Sequence, residues 1–375
     1  MAMKTWQRPG AVILPIAATL ILLIPSIEKV SASDQSGTFS PTGSMNVPRG
    51  GLAVLLQTGR VLVVGGTDGS TIPDSTELYN PSTGKWTFTG TTLASHVGGT
   101  LTELANGEVL FAGGIGGPKA VDGDCFTAAE LYNPATGIWS ATGSMTVPRC
   151  GHSAALLSNG EVLVAGGFSV VGSSVSSAEL YNPATGSWQA TGSMNTARVG
   201  AGAVTMVNGN VLIVSGMEQV NGSSTELTSA EIYNTSQGSF STTAGPGKFG
   251  STPPILLANG NVLDVGIAFY TPATATWTAT GAYPPFGTLE GRAAVLLGTG
   301  NVLITGFVSS YSGSGHPALA TAVLYEFSSN EYVLTGSMTT PRLNQSMTLL
   351  PNGQVLVAGG YNRSGFLASA ELYTP

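Results

Sequence analysis

GSMTVPRCGHSAALLSNGEVLVAGG, residues 143–167, together with SAELYNPATGSW, residues 177–188, decides how this chain folds. The first apolar stretch, from His152 to Leu157, breaks at Asn159-Gly160. Asn-Gly between two apolar runs is a strong hairpin signal, because both residues accept the positive φ that a tight turn between twisted strands demands. The run from Glu161 to Ala165 is apolar at nearly every position, as a strand covered on both faces must be. Gly166-Gly167 ends it, where a side chain would block a close backbone approach. A third strand, Ala178 to Tyr181, turns at Asn182-Pro183-Ala184-Thr185-Gly186, whose Pro and Gly preset the turn. Trp188 to Met194 then supplies a fourth strand. No 3.6-residue period interrupts the pattern, so we expect no helix beyond the N-terminal segment.

Working outward, the turn and apolar strand recur seven times, at 59–66, 107–114, 160–167, 209–216, 260–266, 300–306 and 353–360. Their closing glycines are 48, 53, 49, 50, 40 and 54 residues apart. An aromatic pair seven residues apart is stricter: Tyr79/Trp86, Tyr132/Trp139, Tyr181/Trp188, Tyr233/Phe240, Tyr270/Trp277 and Tyr325/Tyr332. Four-stranded units of this length, repeated around an axis, predict an all-β, seven-bladed β-propeller. The last unit stops at Tyr373-Thr374-Pro375, short of its outer strand. Phe39-Ser-Pro-Thr-Gly-Ser-Met45 matches Trp139-Ser-Ala-Thr-Gly-Ser-Met145 nearly residue for residue. We therefore expect the N-terminal segment to complete the C-terminal blade, making one domain over 37–375.

These residues resemble the kelch repeat, with units five and six departing from it at Val265-Gly266 and Thr305-Gly306. The resemblance implies a scaffold used by protein-binding modules, by galactose-oxidase-like enzymes and by sialic-acid-mutarotating enzymes. Fold alone does not choose among them. Galactose oxidases bind copper through two histidines and two tyrosines, one tyrosine being cross-linked to a cysteine. Here the histidines are His96, His152 and His316 and none follows a Tyr, so we expect no metal and no cofactor.

Composition narrows the partners. Of 375 residues, 13 are Lys or Arg and 20 are Asp or Glu, for a net charge of −7. That excludes a phosphate-backbone binder, which needs clustered cations, so no nucleic acid is expected. Lys4 and Arg8 precede an apolar stretch over 11–27, and Val30-Ser31-Ala32 offers small residues for cleavage. This is the layout of a secretory signal peptide. We read 1–32 as that peptide and expect a secreted or periplasmic monomer with no membrane attachment after cleavage.

Arginine recurs before the first strand, at Arg49, Arg149, Arg198 and Arg342. It suits either a cationic ring at an axial opening or a buried pair with the third-strand glutamate. Units one, three, four and seven carry both Arg and the matching Glu77, Glu179, Glu231 or Glu371. Units five and six lack both, and unit two keeps Glu130 with His96 at the arginine position. Joint presence and loss favours the structural pair. Cys125 and Cys150 lie in connections that open on one face of neighbouring blades, which predicts a disulfide. Asp122-Gly-Asp124 lacks the further oxygen ligands of a calcium loop.

Loops between second and third strands vary most, at 67–76, 115–128, 168–177, 217–229, 307–321 and 361–369. Variable loops on a rigid scaffold carry specificity, which makes Asp122, Asp124, Tyr311, His316 and Arg363 the candidate binding residues. With no catalytic set in the sequence, the expected role is a non-catalytic module binding protein or carbohydrate on that face. A carbohydrate-active enzyme, mutarotase-like before copper radical oxidase, is the alternative.

Overall fold

Tyr181 pairs directly with Trp188 across an antiparallel ladder, ring centroids 5.0 Å apart. The same relation recurs at Tyr79/Trp86, Tyr132/Trp139, Tyr233/Phe240, Tyr270/Trp277 and Tyr325/Tyr332. The strict spacing thus marks one cross-strand pair per unit. The computed structural model describes residues 37–94, 97–116, 125–170, 173–220, 222–248, 250, 253–281, 293–308 and 317–375. All of them lie in one compact unit, Ala32–Pro375.

Seven four-stranded antiparallel sheets make the blades, and no helix occurs among the described residues. Blade three runs Ser153–Leu156, Val162–Ala165, Ala178–Asn182 and Ser187–Thr191, in that spatial order. Its outer strand ends three residues before the expected Met194, because the chain turns there toward the next blade. Every residue of its second strand is buried, so the unbroken apolar run reflects cover from blades on both sides. Between blades three and four, Leu163, Ala165, Val211, Ile213 and Tyr233 form one packed cluster. Each Leu, Val or Ile side chain of it contributes about 1.5–3 kcal/mol on burial.

The ring closes as the sequence predicts. Thr38–Thr42 pairs with Ala370–Thr374, placing Phe39 opposite Tyr373. Met45, Val61, Val63, Tyr79, Leu356 and Ala358 then pack across the seam between blades seven and one. A tyrosine–threonine bond staples successive blades: the Tyr181 hydroxyl lies 2.8 Å from Thr142 Oγ1, and Tyr79 stands 2.8 Å from Thr42 Oγ1. Gly166 holds a φ of 72°, and a Cβ there would strike the Arg198 carbonyl of the next blade.

The degenerate units keep the architecture with altered parts. Blade five has an inner strand of only Ile255–Leu256, after Pro253 and Pro254 remove two backbone donors. Register places Ala268 and Val323 where blades one, three, four and seven carry glutamate. In blade six the Tyr325 hydroxyl donates to Asn330 Oδ1 at 2.8 Å, and burial pushes its pKa up to about 12. Three segments expected as loops contain short hairpins: Phe168–Val170 with Ser173–Ser174, Met217–Val220 with Ser223–Glu226, and Tyr361–Asn362 with Gly365–Phe366.

Candidate functional site

The inner strands begin and the second strands end on one face of the ring, and there the variable connections gather. The arginines that precede the inner strands do not open onto this face. Arg49, Arg149, Arg198 and Arg342 are at most 1% exposed, so these four form no cationic ring around the axis. Arg149 Nη1 donates to the carbonyls of Gly166 and Ser177 at 2.9 and 2.8 Å, and Nη2 donates to Glu179 Oε1 at 3.2 Å. Matching ion pairs join Arg49 to Glu77 at 3.5 Å, Arg198 to Glu231 at 3.3 Å and Arg342 to Glu371 at 2.9 Å. Burial lowers the pKa of each guanidinium, and its glutamate opposes that shift.

The glutamates have a second duty that sequence reading missed. Glu179 accepts the backbone N–H groups of Thr146 and Val147 at 2.7 and 3.2 Å. Glu77, Glu231 and Glu371 cap the equivalent pairs in their own blades. This explains why blade two keeps its acid without an arginine: Glu130 accepts from Leu93 N and Ala94 N at 2.7 and 3.1 Å. His96 lies outside the described residues.

Cys125 and Cys150 form a disulfide with Cα atoms 5.2 Å apart. Short bridges pair Cys125 with Ile115 and Cys150 with Phe168, so the bond joins the blade-two connection to the entry of blade three. His152, two residues on, is buried, with Nε2 2.9 Å from Thr100 Oγ1 and Nδ1 unpartnered. Burial, helped by the neighbouring Arg149 charge, lowers its pKa to about 3 and keeps the ring neutral.

Of the candidate binding residues, Asp122, Asp124, Tyr311 and His316 lie outside the described residues. Arg363 is exposed at the turn of the blade-seven hairpin, beside the Tyr361 and Phe366 rings, whose centroids are 5.6 Å apart. On blades three and four the hairpins brace each other: Gln219 N donates to Ser174 Oγ at 3.0 Å. Near the axis a cavity of about 380 Å³ opens where the inner strands of blades seven, one and two begin. On the opposite face, similar recesses of about 470–510 Å³ sit between turns of neighbouring units, at Asn159 and Pro183 for example. Sequence reading gave no signal for these, since they arise between neighbouring units.

The described residues offer no donor set for copper. Both cysteines are spent in the disulfide, His152 is enclosed, and no group of three or more His, Cys, Asp or Glu assembles among the described residues.

The Kelch motif model matches residues 48–91 and 148–195, which are the first and third units. No curated protein matches the chain. Among solved structures, a fungal alcohol oxidase of the AA5 family, described as catalytically diverse and in complex with copper, superposes with a TM-score of 0.67. That likeness covers 91% of this chain and 76% of the oxidase at 18% identity. At that identity the likeness is one of fold.

Proposed function

We propose that this seven-bladed propeller, two of whose units match the Kelch motif, works as an exported, non-catalytic binding module for a protein or a glycan, held on the loop-bearing face. The supporting observation is the arrangement of that face: braced hairpins on blades three and four and an aromatic hairpin on blade seven, set beside an axial cavity. Rigid scaffolds that present variable connections in this way recognise ligands. The strongly perturbed groups nearby are occupied structurally, the arginines with glutamate and the histidine in a closed interblade space. Export is supported by the Lys4–Arg8 and apolar layout over 1–32 and by the disulfide, which persists in oxidising compartments. No helix among the described residues is long and apolar enough to cross a membrane.

The fold likeness to an alcohol oxidase keeps a carbohydrate-active enzyme as the second reading. Purified protein loaded with copper and assayed for peroxide on alcohols and sugars tests the oxidase branch. Sugar anomer exchange followed by NMR tests the mutarotase branch, and a glycan array with a cross-linking capture of surface proteins tests the module. We expect a ligand without turnover; peroxide production or accelerated anomer exchange overturns the proposal.

A further inference from the structure

The turn between the first two strands of a blade carries Asn-Gly at Asn106, Asn159, Asn208, Asn259 and Asn352, each of them exposed. Blades one and six hold the same turn with Thr58 and Thr299, their glycines at φ of 77° and 88°. The shape of the turn therefore does not need asparagine. Asparagine followed by glycine brings a reaction with it. The glycine nitrogen, once it gives its proton to base, can attack the side-chain Cγ, because glycine has no Cβ to obstruct the approach. The new N–Cγ bond closes a succinimide ring, the Cγ–Nδ2 bond breaks, and ammonia leaves with a proton taken from water. Water then opens the ring at either carbonyl, leaving aspartate or isoaspartate.

These turns hold the attacking nitrogen alike: each glycine N–H donates to the carbonyl three residues back at 2.9 Å. Each asparagine Oδ1 also accepts the N–H two residues on, at 3.0–3.1 Å. They part at the amide nitrogen. Asn106 and Asn159 donate through Nδ2 to the carboxylates of Glu108 and Glu161 at 2.9 and 2.8 Å, and Asn352 donates to Gln354 Oε1 at 2.8 Å. Held at both ends, these amides cannot turn Cγ toward the glycine nitrogen without breaking a second bond, and a bond to a carboxylate is the stronger kind. A carboxylate formed at Asn106 or Asn159 would also face Glu108 or Glu161, like charge against like. In blades four and five the residue two on is Asn210 or Asn261. Asn208 and Asn259 make no bond through Nδ2 among the described residues.

Blade four steadies its turn from outside. Thr235 Oγ1 donates to Gly209 O at 2.7 Å, and Thr235 N donates to Asn210 Oδ1 at 3.3 Å. Blade five has Pro272 at that place, and proline carries neither a hydroxyl nor an N–H. Its inner strand is Ile255–Leu256 alone, where blade four has Gly202–Thr205. Fewer ladder bonds therefore hold Asn259 in place. We propose that Asn259-Gly260 is a site of spontaneous modification, converting to isoaspartate and aspartate ahead of every other described Asn-Gly turn, with Asn208 second. Isoaspartate routes the main chain through the side-chain carbon, so it lengthens the turn in the blade whose inner ladder is shortest.

The test is peptide mapping by mass spectrometry of the full chain, kept folded in mildly alkaline buffer, with electron-transfer fragmentation separating isoaspartate from aspartate. A parallel sample in urea removes the folded geometry, and there the same turns should react at similar rates. In the folded protein we expect Asn259 to be modified at least fivefold faster than Asn106 or Asn159, with Asn208 between. Asn261→Glu supplies the missing partner and should slow Asn259 to the rate of Asn159. Glu161→Asn removes a partner and should speed Asn159 at least fivefold. Each exchange copies a residue that another blade carries at the same place, so the melting temperatures should match the wild type. Equal rates at Asn259 and Asn159 in the folded protein, rates unchanged by both exchanges, or the same ranking in urea overturns the proposal.

Discussion

Glu179 Oε1 stands 3.2 Å from Arg149 Nη2, with both side chains at most 1% exposed. The other bonds of this pair explain its presence. The carboxylate caps two backbone N–H groups of the segment entering the blade, and the guanidinium caps the carbonyls of Gly166 and Ser177. Together they hold the path from the preceding outer strand to the inner one, which has no ladder of its own.

Removing one partner strands the other in a place without water. Arg149→Ala should destabilise the protein by about 3–5 kcal/mol, the usual penalty for a broken buried pair. Glu179→Gln should cost less than Glu179→Ala, because the amide oxygen still accepts one backbone N–H. Urea unfolding measures both, and ligand binding should change only in proportion to the unfolded fraction.

His152 makes stability sensitive to acid. Its folded pKa is about 3, against 6.5 for the free side chain. Between those values the unfolded chain binds a proton that the folded chain refuses. The stabilisation is therefore full above pH 6.5 and declines as pH falls toward 3, by up to about 4–5 kcal/mol. His152→Gln should flatten the pH dependence of the urea midpoint over that window; an unchanged slope would show that another group is responsible.

The disulfide closes a sequence separation of 25 residues. Chain-entropy arguments give such a loop about 3 kcal/mol of stabilisation. Cys125→Ser with Cys150→Ser should lower the melting temperature by several degrees. Intact mass of the oxidised protein should show no free thiol, and both sulfurs should resist mild reductant because the residues are buried.

Deleting 37–45 removes the outer strand of blade seven, Met45 from the seam and the Thr42 bond to Tyr79. We expect the truncated ring to melt far below the intact one and with reduced cooperativity. A circular permutant that restores the strand by joining it after Thr374 should recover most of the loss. Calorimetry distinguishes the outcomes.

Much of this was legible because the repeat writes each contact several times. The arginine–glutamate correspondence could be inferred from joint presence and loss, and Cys125–Cys150 from where propeller connections open. Glu130 shows the limit: its retention without arginine made sense only once two backbone donors were seen at its carboxylate. The loop hairpins also escaped notice, since Ser173–Ser174 and Gly365–Phe366 are too short to announce a strand.

The chain by itself determined the number of blades, their strand order and the pairing of its two ends, because hydrophobic period, Asn-Gly turns and aromatic spacing are local and recur. Tertiary structure alone decided which cavities lie between blades. The axial cavity is lined by Gly50 and Gly51 of blade one and by Asn344 of blade seven, nearly 300 residues away in sequence. No local pattern encodes such a meeting; it exists only when ring closure brings the first and last inner strands side by side.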